Sequence, residues 1–378
     1  IITCACQSLT CLTRPNLLSS NNRFWLLLRN PENMSGTNRE PDAFPRKRSL
    51  VRQENADDEE YDLPAFPSTI AEFGYHFNEF GQLRHNKTGE PYQFEVRLNN
   101  PSYNQKRYEA LGELVTEHVY GLLESETKLS KFLIPIDARD GEPSTFIFAS
   151  DDALTNRNKL LVLIHGSGTV RAGQWSRRLI VNESLKKGTQ LPFIRRALGL
   201  GYGVIVLNTN DNFRMYGEVK RAIRESETPE KHARYVWEWF IERSAAKNIA
   251  VVAHSYGGVV AVNLMTEFYA MRDRVFAIAL TDSVHSMQHQ KVPSWVLHWL
   301  MQVSRNWVSS PEPLDTPLKL SHQSSDIKRV SAGTVIHELT SWSSFASVFE
   351  FLETAHQKAL AASHGEFENV ALRSRHSS

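Results

Sequence analysis

The apolar run Ile249–Ala253 leads without a break into Ala253-His254-Ser255-Tyr256-Gly257-Gly258, and a helical pattern follows with Val260, Leu264 and Phe268 in register. This junction constrains the chain most. A strand that turns sharply into a helix around a Ser needs small residues two before and two after it, because the turn crowds neighbouring backbone. Ala253 and Gly257 meet that need. Such a turn lifts Ser255 Oγ above a sheet, and the Tyr256 N–H at the helix start can donate to an oxyanion. The plain alternative is a strand–turn–helix that happens to contain Ser.

Similar short runs recur at Thr145–Ala149, Leu160–Ile164, Val204–Leu207 and Val275–Leu280. Runs without polar alternation indicate strands buried on both faces, as in a parallel sheet. Between two of them Thr228-Pro229 offers an N-cap and a first-turn proline, and Ala233, Val236, Trp237, Phe240 and Ile241 then share one helical face. Strands alternating with helices predict an α/β fold, a mostly parallel doubly wound sheet with helices on both faces. Chemistry in such sheets gathers at the carboxyl ends of the strands.

Leu160–Ile164 ends in His165-Gly166-Ser167-Gly168. A glycine there lets the backbone bend so that an amide faces a substrate oxygen, and Gly166, Ser167 and Tyr256 are the expected oxyanion donors. His165 reads as a structural hydrogen-bonder. A triad then needs an acid and a His, in the order Ser, acid, His. Asp282 follows Val275–Leu280 at a strand's carboxyl end. For the base, His337 in the loop before Trp342, Phe345 and Phe349 is preferred over His285 and His289. His337 would take the proton from Ser255 while Asp282 holds its tautomer. His285 and His289 stand four apart, a possible metal pair on a helix, but with no evident third ligand; neither metal nor cofactor is expected. The arginines 171, 177, 178, 195 and 196, with Trp175, read either as a phosphate or acidic-partner surface or as a solvated helix face.

Composition narrows the function classes. The chain has 378 residues, 43 Lys+Arg against 42 Asp+Glu, and a formal net charge of +1, which excludes a body that binds nucleic acid by bulk charge. No apolar run approaches the roughly 18 residues of a membrane span. All three cysteines, Cys4, Cys6 and Cys11, precede Met34, so a disulfide framework or cysteine-ligated zinc in the body is excluded. Translation is expected to start at Met34, or residues 1–33 to come from a fragmentary gene model; a mitochondrial presequence is the alternative. Residues 1–61 carry opposite charge blocks, Arg46–Arg48 and Asp57–Glu60, and read as a disordered segment with a possible nuclear import signal. A lead-in module is expected over 62–143, covering an edge or face of the sheet. The core would follow over 144–352, with a lid at 285–328 that includes Trp295, Trp299 and Trp307. A polar tail would close the chain at 353–378.

The segments FGYHFNEFGQLRHNKTGEPY, NQKRYEALGELVTEHVYGLLE, LIHGSGTVRAGQWSRRLI, GYGVIVLN, AHSYGG, ALTDSVH, NWVSSPEPLD and VSAGTVIHELTSW together resemble the Argonaute-binding-protein-two (Arb-two) domain family, over about Asp62 to Phe351. The resemblance implies an α/β-hydrolase-like fold. It also implies a partner of Argonaute and of chromatin or splicing factors, acting in small-RNA-linked silencing or cotranscriptional regulation, in nucleus and cytoplasm. RNA contact would be indirect and no membrane role is implied. The suspected hydrolase Ser falls on Ser255. Two departures stand out. Vertebrate relatives carry a long basic and acidic insertion after GYGVIVLN, whereas Asn208–Thr228 is short here. They also end in a retention-like tail, whereas this sequence ends in Arg375-His376-Ser377-Ser378. The competing reading is a serine hydrolase acting on an ester, thioester or amide through Ser255, Asp282 and His337.

Overall fold

The structure is a computed structural model that describes residues 65–319 and 326–375, with side chains to residue 362, all within the unit Asp62–Ser378. The expectations for residues 1–61, Arg46–Arg48 and the cysteines among them, lie outside the described residues.

The chain opens with a small hairpin, β1 (Tyr75–Phe77) and β2 (Leu83–His85), and a long helix, α1 (Pro101–Thr127). Asn100 caps α1 by accepting from the Tyr103 N–H, Pro101 starts it, and Lys128 in a left-handed conformation ends it. One stripe of α1, Leu111, Val115 and Val119, packs with Tyr75, Leu83 and Ile180 into a satellite cluster. The next residues on α1, Tyr120 and Leu123, belong to the main core instead. The lead-in module is therefore fastened through successive lengths of one helix, its first part in the satellite cluster and its last turns in the main core.

The sheet has nine strands. They are β3 (Ser130–Ile134), β4 (Thr145–Ala149), β5 (Lys159–Ile164), β6 (Tyr202–Val206), β9 (Asn248–His254), β10 (Val275–Thr281), β11 (Ser304–Val308), β12 (Pro317–Leu318) and β13 (Arg329–Ser331). Their spatial order is β12-β13-β11-β10-β9-β5-β6-β4-β3. The six strands from β13 to β6 run parallel, and β4, β3 and β12 are antiparallel additions at the edges. The α/β expectation is met, with one correction: Thr145–Ala149 pairs antiparallel with β6. Burial on both faces produces the same unbroken apolar run whichever way the strand points, so the run could not report direction. A separate exposed hairpin is formed by β7 (Phe213–Tyr216) and β8 (Val219–Ala222).

Helices cover both faces. Between β5 and β6 come α2 (Arg177–Asn182), the single turn α3 (Leu185–Gly188) and α4 (Leu191–Gly199). Next is α5 (Pro229–Val236), capped by Thr228 and continued as a π-helical turn over Trp237–Ile241. Then come α6 (Tyr256–Glu267), α7 (Ser294–Val303), α8 (Thr340–Ser343) and α9 (Phe345–Arg375). One face of the sheet, with Leu161, Val204, Val252 and Ala279, packs against Phe193 of α4 and Val348, Phe349 and Leu352 of α9. Alternate residues Val162, Ile205, Val251 and Ile278 are equally buried and point the other way, to the face where α6 crosses β9 and β5.

Two segments differ from the sequence reading. The span read as a lid, 285–328, contains β11, whose Trp307 is wholly buried in the core. Its sequence, Ser-Arg-Asn-Trp-Val, sets three polar residues before two apolar ones and offered no buried-strand signal. The span read as a polar tail continues α9 as far as Arg375. Leu352 and His356 on that helix are buried, while its charged residues occupy the other positions.

Candidate active site

After β5 the chain adds β6 on one side and returns to add β9 on the other. The carboxyl ends of β5 and β9 therefore flank the topological switch point, where α/β sheets open a crevice. Ser255 and Gly166 stand at those two ends.

Ser255 has φ 52° and ψ −120°, a left-handed conformation that is strained for a residue with a side chain. Its surroundings hold it there. The Ser255 N–H donates to Thr281 O at 3.0 Å, and Ser255 O accepts from Gly258 N at 3.0 Å and from Val284 N at 3.3 Å. The small-residue requirement has a visible cause. A Cβ on Gly257 would stand 2.6 Å from both Ile164 O and His165 O, and one on Gly258 would overlap the Ser283 hydroxyl. α6 begins at Tyr256, so the positive end of its dipole lies beside Ser255. The Tyr256 hydroxyl turns away and donates to Glu230 Oε1 at 2.6 Å; burial, helped by that carboxylate, pushes its pKa up to about 12.

Asp282 follows β10 with φ 45°, a second positive-φ residue at a strand end. Its N–H donates to Trp307 O at 2.7 Å, and its Oδ1 accepts from the Ser309 N–H at 3.0 Å. Its Oδ2 lies 2.7 Å from His337 Nδ1. Burial alone would raise the Asp282 carboxyl pKa, but the hydrogen bonds from His337 and Ser309 outweigh it and hold the group below its ordinary value. The Asp282 bond in turn raises His337 above its ordinary value, against partial burial. His337 opens a short 3₁₀ turn, His337–Leu339, and is half-exposed. Its ring centroid lies 4.8 Å from that of His254, the residue before Ser255. Ser255 Oγ makes no hydrogen bond among the described residues. The acid and base are thus joined, and the packing of the His337 ring against His254 places the base next to the residue that precedes Ser255.

Of the expected oxyanion residues, Gly166 lies against the elbow: a Cβ there would meet Ser255 Cβ at 3.0 Å. Ser167 follows it and is exposed, and Tyr256 supplies the first helix amide. His165 is fully buried, with its Nδ1 2.9 Å from Gly166 O and its pKa lowered by burial to about 4.

Several positioning residues were not found from the sequence. The Asn210 amide faces three carbonyls of the oxyanion loop, donating to Gly166 O at 2.9 Å and lying 3.2 Å from both Gly168 O and Val170 O. Its place just past the carboxyl end of β6 was the available signal. His254 is buried with its Nδ1 2.9 Å from Thr281 O and 3.1 Å from Thr281 Oγ1; that hydroxyl lies 2.7 Å from Ser341 Oγ. This chain ties β9 and β10 to the segment that carries His337. His285 belongs to a different cluster: its Nδ1 is 2.7 Å from Ser283 Oγ and its Nε2 is 3.0 Å from Asp326 Oδ1, while Arg329 holds Asp326 Oδ2 at 2.6 Å. His289 is exposed, and its N–H donates to Ser286 Oγ. Among the described residues no group of three His, Cys, Asp or Glu is arranged to hold a metal.

The arginine cluster disperses. Arg177 is buried against Glu113, with Gly112 of α1 leaving room for its guanidinium. Arg178 pairs with Glu338 and Arg195 with Glu126, while Trp175 sits in the core.

A mostly parallel sheet with a Ser elbow at its switch point and an Asp–His pair on the following loops defines an α/β-hydrolase-like protein. The Arb2 domain model matches residues 66–314. The cotranscriptional regulator ARB2A homolog of Gallus gallus is 48% identical over 339 residues, covering 77% of this chain and 81% of that protein. The Homo sapiens cotranscriptional regulator ARB2A shows the same identity and coverage. This chain belongs to the Arb2 domain family. Among solved structures, a histone deacetylase from Saccharomyces cerevisiae aligns over 65% of this chain and 98% of its own, at 14% identity and a TM-score of 0.43, a likeness that carries no weight on function.

Proposed function

We propose that this chain is a cotranscriptional regulator whose Arb2 body carries a working serine-hydrolase site. The hydrolase half rests on one observation: His337 Nδ1 stands 2.7 Å from Asp282 Oδ2 beside the strained Ser255 elbow. In this reading Ser255 Oγ attacks the carbonyl carbon of an ester, thioester or amide, and His337 Nε2 takes the hydroxyl proton. Negative charge on the carbonyl oxygen faces the amides of Gly166, Ser167 and Tyr256. Collapse breaks the acyl bond, the leaving group takes the proton from His337, and water repeats the sequence to release the acid and regenerate Ser255. A fluorophosphonate probe tests this. Labelling of the wild type and not of Ser255→Ala supports the reading, and an unlabelled wild type overturns it.

The regulatory half is supported by the two ARB2A relatives at 48% identity. The partners we assign, following the family resemblance, are Argonaute and chromatin or splicing factors, in nucleus and cytoplasm, with RNA reached through proteins. Co-precipitation of Argonaute with the full chain, retained in Ser255→Ala, is the expected result. Absence of Argonaute from the precipitate sinks this partner assignment and leaves the hydrolase test untouched.

A further inference from the structure

A cavity of about 470 Å³ lies between the start of β11, the end of α7 and the side of α9. It is separate from the elbow: Ser304 begins β11 and Lys328 directly precedes β13, so its floor lies towards the amino ends of strands whose carboxyl ends face the opposite way. Arg305, Lys328 and Lys358 line it, and none of the three makes an ion pair with another described residue. Arg305 is braced between two rings, with its guanidinium carbon 5.4 Å from the Trp307 centroid and 5.0 Å from that of Phe351. A stacked guanidinium is held in place with its donors still free.

Two carboxylates complete the lining. Asp315 Oδ1 is occupied by Trp307 Nε1 and Ser347 Oγ, whereas Glu350 has no partner among the described residues. Three unpaired cations suit a phosphate, and free carboxylate oxygens suit neighbouring hydroxyl groups. The volume is that of a small-molecule site.

We propose that this cavity binds a small phosphorylated polyol, such as a sugar phosphate, with the phosphate held by Arg305, Lys328 and Lys358 and the ring hydroxyls held by Glu350. The inference is independent of hydrolysis at Ser255. Calorimetric titration of the full chain with glucose 6-phosphate, glucose and inorganic phosphate tests it. The expected result is saturable one-to-one binding of glucose 6-phosphate, at least about tenfold tighter than inorganic phosphate, and no binding of glucose. Lys328 and Lys358 are exposed, so Lys328→Glu/Lys358→Glu is expected to keep the wild-type circular dichroism and to lose about tenfold or more in affinity. Absence of saturation by glucose 6-phosphate up to about 10 mM overturns the site. So does undiminished affinity in the folded double variant. Equal affinity for inorganic phosphate and glucose 6-phosphate overturns the assignment of a polyol.

Discussion

His337 Nδ1 is 2.7 Å from Asp282 Oδ2, and the two residues shift each other's titration in opposite directions. His337 must be neutral at Nε2 to act as a base. Its pKa is raised above the ordinary 6.5, so labelling of Ser255 should climb with pH through a midpoint above 6.5 and level off beyond it. Stability runs the other way for this residue: the raised pKa contributes stability present below 6.5 and lost as pH rises through the folded value. Asp282, held below 3.8, contributes stability present above 3.8 and lost as pH falls through its lowered value. The check is the pH profile of fluorophosphonate labelling in wild type and Asp282→Asn. The variant should label about 10³–10⁴-fold more slowly, because the imidazole loses its correct tautomer. A flat wild-type profile between pH 6 and 9 refutes the base assignment.

The Gly257 position tests the elbow by packing alone. A Cβ there would stand 2.6 Å from two carbonyl oxygens at the end of β5, and backbone cannot yield as a side chain tip can. Gly257→Ala is expected to cost about 1–3 kcal/mol. Urea denaturation of the purified variant measures it, and an unchanged midpoint means the strand–turn–helix does not close as described. Gly121 is the matched control, since nothing lies within 4 Å of a Cβ there and it is in the interior of α1. Gly121→Ala should hold or raise the midpoint.

What was legible from the sequence follows from which signals are local. The elbow is a six-residue pattern whose requirement for small side chains arises from its own turn, so Ala253 and Gly257 announced it. The five apolar runs announced strands, because burial on both faces leaves no other composition. Asp282 and His337 could be ranked from strand-end placement, although the contact between them joins residues 55 apart in sequence. Direction within the sheet was invisible, as Thr145–Ala149 shows. Ser304–Val308 was lost because its neighbours β10 and β13 satisfy its backbone while its side chains stay mixed. His285 depends wholly on tertiary neighbours, and Asn210 had only its strand-end placement, since a lone Asn or His in a loop has no pattern of its own.

Asn210 should matter to rate more than to stability. Its amide holds carbonyls of the 166–170 loop, and so fixes the backbone whose amides the proposed mechanism uses. Asn210→Ala should lower turnover of an activated ester by about 10²-fold with little change in KM, since oxyanion contacts strengthen in the transition state. Asn210→Asp should do worse, because a carboxylate would face three carbonyl oxygens. A rise in KM at unchanged kcat would instead make Asn210 a ground-state binding residue.

The His285–Asp326 contact supports the acid from behind. Ser283 follows Asp282 directly and His285 comes two residues later; Ser283 Oγ both packs on Gly258 of α6 and meets His285 Nδ1. His285 Nε2 reaches Asp326, itself fixed by Arg329. Burial would raise the Asp326 carboxyl pKa, but its bonds to His285 and Arg329 bring it below the ordinary 3.8. Its contribution to stability is therefore present above 3.8 and fades as pH falls through the lowered value. Asp326→Ala leaves a buried imidazole nitrogen unpaired, at a cost of about 1–3 kcal/mol at pH 7. In a His285→Ala background the same change should cost much less, and the difference between the two backgrounds measures the pair directly. Equal costs in both backgrounds would mean that Asp326 acts only through Arg329. The labelling rate separates support from mere stability: if this turn positions the acid, Asp326→Ala should slow labelling of the folded protein at 15 °C, where a purely structural role leaves it unmoved.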